Sequence, residues 1–420
     1  MKLLIISSEP LNPDNILSSI FELTQASILK TIAEVCILSV SPEDTMSARL
    51  KKQLKQPWNT LYWEKEFVKN TNDNILKTLV LRANHINTYI LEGIHVIEGK
   101  NYNWYSKGSY LKKLRNWISA GLSAYRYYER KYGKPDIIHA HGRFLNAGAL
   151  ALRIHNHKQI PFIYTEHSTS YQLGVAPRDA KPILHEIVDK ASAFITVSKS
   201  LLNDFELFLG RQIPHALVMP NTMDPIFEET LKKVLNTDQF SFLNISSFHR
   251  KKGLDILLKS FKKAFSGNPY YKLTICGDGP LKDELLALQD ELGLKDSVQF
   301  TGNITKQEIK KQLDASNALV VSSLHETFGV VVIEALSRGC PVVSTRCGGP
   351  EDIVDEESGI LVKAGDEHEL AEALKKMAAD YSHYDIKKIQ DRAISEYGSK
   401  AFLYSSENLY RSVLKKKATQ

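Results

Sequence analysis

The chain has 420 residues, 43% apolar and 24% charged, with a formal net charge of +6. That length and balance fit two or three soluble domains with their own cores, and no apolar run approaches the ~18 residues of a membrane span. The mildly basic balance suits anionic substrates or an anionic lipid surface and gives no reason to invoke nucleic acid. The four cysteines, Cys36, Cys276, Cys340 and Cys347, show no C-x-x-C spacing and read as buried thiols of a reducing compartment. The opening MKLLIISSEP is too short an apolar run for a signal peptide. The expected location is cytoplasmic, with peripheral docking on the inner face of a membrane as the further option.

Leu3–Ile6 reads as a buried strand. Ile16–Ala33 has helical spacing, and Val35–Val40 is a second strand, giving a βαβ opening. Residues 45–134 carry no clear pattern until Gly108–Lys134, which is basic and aromatic with Glu129 as its lone acid. It reads either as an interfacial helix on anionic lipid or as a helix with one solvated face. Asp136–His141 (DIIHAH) is a strand whose two histidines share a face, the spacing of a metal pair, but no third ligand stands nearby. Pro161–Thr165 is the next strand and runs into Glu166-His167. His167 is either a functional group or a core or capping residue. Ala193–Ser198 is a strand, with Ser198 placed to cap the helix Lys199–Leu209. Leu217–Asn221 reads as the last strand of a first domain, and Pro220 and Pro225 bracket the start of a linker.

Ser241–Ser246 opens a second domain. A basic loop, Phe248-His249-Arg250-Lys251-Lys252-Gly253, leads into the helix Leu254–Phe265. Leu273–Cys276 is a strand before the turn Gly277-Asp278-Gly279-Pro280, and Val298–Phe300 a strand before Thr301-Gly302-Asn303. Then come a strand, Ala318–Val321, a polar loop, Ser322–Thr327, an apolar helical run, Phe328–Arg338, and a strand, Cys340–Ser344. Gly359–Val362 precedes a helix from Asp366 to Ala379, and Phe402–Leu414 could cross back to the first domain.

In open parallel sheets, ligands sit where loops leave the carboxyl ends of strands. The amides of Phe328, Gly329 and Val330 would face outward at a helix N-terminus and suit a phosphate or sugar hydroxyls. Glu326 could accept hydrogen bonds from hydroxyls. Glu334, about two turns into an apolar helix, needs partners, and a ribose diol is one.

Glu326 and Glu334 in an E-x7-E spacing, followed by Gly339-Cys340-Pro341-Val342-Val343 and the pair Gly348-Gly349, resemble the signature of the retaining glycosyltransferases of family 4 (glycosyl transferases group 1). The likeness covers nearly the whole chain and is densest from Asn244 to Val362. It implies the GT-B fold, an α/β architecture of two Rossmann-like, doubly wound domains facing across a cleft. Residues 1–224 would bind the acceptor, residues 225–397 the donor, and a helix from about 398 to 420 would pack back on the first domain.

The same resemblance implies a sugar moved from a nucleotide diphosphate donor, UDP- or GDP-linked, to a hydroxyl of a saccharide or lipid-linked acceptor. The anomeric configuration would be retained, through front-face attack with the leaving phosphate as base and no metal, in bacterial surface-polysaccharide synthesis. The chain contains no D-x-D. Carried over residue by residue, Lys252 with Gly253 grips the diphosphate, Glu326 holds donor sugar hydroxyls, Glu334 holds the ribose, and His167 faces the reacting sugar. Gly302 lies in the loop that seats the base, and Thr327, Phe328, Gly329 and Val330 complete the donor contacts.

Two positions depart from the family. The loop Ser7–Ser19 contains no glycine, and the place of a clamp arginine falls on Ser246 or Ser247, so Arg250 or Lys251 is expected to reach in. A GT-B epimerase or phosphorylase, or a nucleotide-sugar binding protein without activity, are the alternatives. A Rossmann dehydrogenase is disfavoured because no G-x-G-x-x-G follows a strand.

Overall fold

A short strand that is apolar on both sides must be covered on both sides, which is why such strands alternate with crossover helices in a parallel sheet. The computed structural model describes residues 1–11, 20–43, 85–102, 109–229 and 233–418. Within them the first sheet holds eight strands: β1 (Lys2–Ser7), β2 (Glu34–Glu43), β3 (His85–Leu91), β4 (Ile94–Tyr102), β5 (Ile137–Gly142), β6 (Phe162–Glu166), β7 (Ala193–Thr196) and β8 (Leu217–Val218). Their order is β3-β4-β2-β1-β5-β6-β7-β8, parallel throughout except for β3 against β4. Helices α1 (Ile20–Leu29), α2 (Tyr110–Tyr132), α3 (Asn146–Lys158), α4 (Lys181–Lys190) and α5 (Lys199–Leu209) lie between them.

The second sheet is β9 (Phe240–Ile245), β10 (Tyr271–Cys276), β11 (Val298–Gly302), β12 (Ala318–Val321), β13 (Val342–Arg346) and β14 (Gly359–Lys363). All pairs are parallel, in the order β11-β10-β9-β12-β13-β14. Its helices are α6 (Leu254–Phe265), α7 (Lys282–Glu291), α8 (Lys306–Ala315), α9 (Val330–Ser337) and α10 (Glu367–Ala379). Two further helices, α11 (Ile386–Tyr397) and α12 (Ser399–Ala418), end the described chain. Leu409, Tyr410 and Val413 of α12 are buried in the same cluster as Ile5, Ile137, Ile163 and Ile195 of the first sheet.

Several expectations need correction. The helix foreseen over Ile16–Ala33 is described from Ile20 to Leu29, and its first residues lie outside the described part. The hairpin β3–β4 stands in the stretch that gave no pattern, turning at Glu92-Gly93, both with positive φ (50° and 75°). α9 begins two residues later than expected because Gly329, at φ 93°, is its N-cap. The aromatic side of the 108–134 segment is spent on packing. Trp117, Tyr125 and Tyr128 are buried, and the exposed face carries Lys112, Lys113, Arg115, Arg126, Arg130 and Lys131. No helix among the described residues is long and apolar enough to cross a membrane.

Candidate active site

In both sheets the strand order reverses once, between β1 and β5 in the first and between β9 and β12 in the second. The crevice outside the carboxyl ends of the strands at such a switch point is where α/β sheets bind ligands. In the second sheet the flanking loops are 246–253 and 322–329, which hold Lys252 and Glu326. In the first they follow Ser7 and Gly142.

The two loops of the second domain are joined by their backbones. Leu324 N–H donates to the Lys251 carbonyl at 2.7 Å, and the Ser322 hydroxyl donates to the Lys252 carbonyl at 2.9 Å. The approach is so close at Gly253, φ 59°, that a Cβ there would meet the Ser322 oxygen at 2.3 Å. A third loop locks Glu326 in place. Its amide donates to the Cys347 carbonyl at 2.9 Å, and its carbonyl accepts from Gly349 N–H at 2.8 Å. A Cβ on Gly349 would lie 2.2 Å from the Phe328 Cα, which accounts for a glycine at that place.

Within this frame the Lys252 ammonium and Glu326 carboxylate form an ion pair, each side chain about four-fifths buried (17% and 20% exposed). Beside it, the amides of Phe328, Gly329 and Val330 donate to no group among the described residues. Thr327 is half-buried next to them. Gly302 ends β11 at φ 75° with open space where a side chain would stand.

Glu334 is half-buried on α9, and burial pushes its carboxyl up to about 8, helped by Asp224 and opposed by Lys306. Asp224 and Lys306 pair at 2.5 Å. The Glu334 carboxylate has no hydrogen-bond partner among the described residues.

Arg250 stands apart from the Lys252–Glu326 pair. Its exposed guanidinium meets Glu284 of α7 at 3.2 Å. Arg250–Lys252 form one 3-10 turn, in which successive side chains diverge by about 120°. The second cation beside Lys252 is Lys251. Its ammonium is held below the usual lysine range by burial, by Lys252 and by Arg143 of the first domain, against the pull of Glu326.

Arg143 follows β5, pairs with Glu9 at 2.7 Å and lies over the Phe21 ring at 5.3 Å. Phe21 packs on His167, ring centroids 4.3 Å apart. His167 is 8% exposed, and burial holds its imidazole well below the ordinary range. The neighbouring Glu166 shapes this loop. Its carboxylate accepts from the Tyr164 and Tyr171 hydroxyls at 2.6 and 2.8 Å and from the amides of Phe144, His167 and Ser168. The domains meet where Gln172 Nε2 donates to the Cys347 carbonyl (3.0 Å) and Lys199 N–H donates to Asp352 (2.7 Å).

Sequence reading passed over Arg143, Asp224 and Lys306. Of these, only Arg143 had a signal, its place just beyond a predicted strand. Among the described residues no group of three or more His, Cys, Asp or Glu side chains is arranged to hold a metal ion. The two strand histidines instead meet Tyr410, Thr165 and His167.

Comparison with known proteins gives the same picture. The family model "Glycosyl transferases group 1" matches residues 226–400, and "Glycosyltransferase Family 4" matches residues 84–226. A glycogen synthase of Mycobacterium tuberculosis is 24% identical over 270 residues, 63% of this chain and 65% of that protein. The lipopolysaccharide core biosynthesis glycosyltransferase LpsD of Rhizobium meliloti is 35% identical over 144 residues, 34% of this chain and 40% of that protein. The chain thus matches less than two thirds of the length of these curated relatives.

Among solved structures, sucrose-phosphate synthase from Thermosynechococcus elongatus superposes with a TM-score of 0.73 at 18% identity, covering 99% of this chain and 100% of that one. Anabaena HepE in complex with UDP gives 0.68 at 18% identity, covering 98% and 100%. The two family models between them run from residue 84 to residue 400, and the paired doubly wound sheets are those of the superposed enzymes. The chain belongs to the group 1, family 4 glycosyltransferases, with the GT-B fold.

Proposed function

We propose that this protein is a retaining glycosyltransferase that moves a sugar from a nucleotide diphosphate donor to a hydroxyl of a saccharide or lipid-linked acceptor in cell-surface polysaccharide synthesis. The observation that carries the reading is the Lys252–Glu326 pair standing beside three amides that donate to no group among the described residues, at the switch point of the second sheet. Solved relatives with UDP and with UDP-glucose, and curated relatives in lipopolysaccharide core synthesis, support the donor and acceptor classes.

In this reading the diphosphate lies against Lys252, Lys251 and the amides of Phe328–Val330, which take the charge of the leaving group without a divalent ion. Glu326 exchanges its ion pair for donor sugar hydroxyls, and Glu334 accepts from the ribose. Gly302 leaves room for the base, and His167 faces the reacting sugar. The bond from the anomeric carbon to the phosphate oxygen breaks, the acceptor oxygen takes its place on the same face, and the hydroxyl proton passes to the leaving phosphate. The exposed basic face of α2 would rest against anionic lipid when the acceptor is membrane-borne.

The deciding experiment is proton NMR of the product. The anomeric coupling of the transferred sugar in the glycosidic product should match that of the donor. An inverted product would reject retention, and release of an epimer or a sugar 1-phosphate would point to one of the other GT-B activities.

A further inference from the structure

The strand histidines, left without a role by the sequence, lie on the approach to the site. His139 and His141 project from the same face of β5, their rings stacked 4.3 Å apart. Both nitrogens of His139 are engaged: Nδ1 with the Tyr410 hydroxyl at 2.9 Å, Nε2 with the Thr165 hydroxyl at 2.8 Å. His139 is thereby a fixed plate on which His141 rests. His141 is 1% exposed, and its Nδ1 lies 3.1 Å from His167 Nε2. Phe21 covers the His167 ring as well. His141 Nε2 is buried with no partner among the described residues, and His167 Nδ1 bonds to none of them.

Burial keeps both rings neutral, so the pair shares one N–H. If His167 Nε2 donated it, His141 would carry its own proton on Nε2, a buried N–H with no acceptor. If His141 Nδ1 donates it, Nε2 is left as a bare lone pair. Buried N–H groups without acceptors are the rarer feature of folded proteins, which favours the second arrangement. His167, accepting at Nε2, must then hold its proton at Nδ1.

We propose that His141 is a positioning residue whose Nδ1–H locks His167 in the Nδ1–H tautomer, so that His167 offers a donor, rather than an acceptor, to a hydroxyl oxygen in the cleft. This rests on the reading of His167 as a residue facing the reacting sugar. The C-terminal helix takes part through Tyr410, which holds the plate beneath the pair.

Histidine-selective 15N labelling of the full chain reads the tautomer of each ring from its nitrogen shifts, with H141N and H167A assigning the signals. The expected result is Nδ1–H on both rings of the wild type. In H141N the amide stands near the lost Nδ1 and keeps His167 as it was, whereas in H141L the His167 proton moves toward Nε2. With the sugar nucleotide that gives the largest thermal shift as donor, H141L lowers kcat about tenfold at unchanged donor KM, and H141N recovers most of the rate. A wild-type His167 found as Nε2–H, or a tautomer unmoved in H141L, overturns the inference. An H167A protein of wild-type rate would instead remove the role of His167 on which it rests.

Discussion

The two sheets share a strand order around their switch points but surround them with different chemistry. In the second domain the switch point presents an ion pair, a second lysine and amides unbonded among the described residues, held by three loops bonded backbone to backbone. In the first it presents neutral, stacked imidazoles, a phenylalanine and the Arg143–Glu9 pair. One topology thus makes two kinds of wall. The wall of amides and lysines suits a diphosphate, whose charge must be met by groups already in place. The wall of neutral rings suits an uncharged hydroxyl.

If that contrast is right, charge removed from the second wall costs most. K252M is expected to slow transfer by roughly 10²–10³-fold, as loss of a preorganised electrostatic group does, checked by steady-state release of nucleoside diphosphate. A rate within a few-fold of wild type would move the clamp to Lys251. Next comes the frame. G349A must displace the Phe328 backbone and is expected to cost about 1–3 kcal/mol in denaturant unfolding, with loss of donor binding. An unchanged midpoint would mean that the loop yields freely.

Glu334 gives an effect that depends on pH. Its native carboxyl keeps its proton up to about 8, and only the ionised form accepts from both ribose hydroxyls. Donor affinity should rise with pH through that value, and E334A should lose about tenfold at high pH and less at low pH. Stability runs the other way. A carboxyl raised in the native state contributes fully below its ordinary 4.5 and loses that contribution as pH rises through about 8. E334Q should therefore gain in melting temperature over wild type as pH rises from about 4.5 to about 8, and keep that gain above it. A donor affinity flat with pH would remove Glu334 from the ribose. The smallest effect is expected of R250A, because an exposed pair such as Arg250–Glu284 is worth about 0–1 kcal/mol, and transfer should change less than twofold.

The second wall was legible in the sequence and the first only in part. Glu326, Phe328–Val330 and Glu334 lie within nine residues, so their spacing along one loop and helix carries the geometry directly. Gly253 and Gly349 were readable too, since only glycine fits the close backbone approaches they occupy. The turn of Arg250–Lys252 was not, because three adjacent basic residues look alike until a 3-10 turn sends each a different way. The first wall is assembled from α1, β5, the loop after β6 and α12, over 250 residues apart at the extremes of the His139–Tyr410 contact. Nothing local in DIIHAH tells that its histidines meet a tyrosine, a threonine and another histidine. For the aromatic helix α2 the sequence leaves two readings open for a related reason: periodicity places a tryptophan on a face but does not say what covers it.

The central claim is that the second wall holds a nucleoside diphosphate without a divalent ion. The most direct measurement is a thermal-shift series with UDP, GDP, CDP, ADP and their common sugar conjugates in EDTA, on wild type and K252M. Binding to the native state alone raises the melting temperature by mass action. One nucleotide should raise that of the wild type by several degrees and leave K252M nearly unmoved. No shift with any nucleotide, or an equal shift in both proteins, would contradict it.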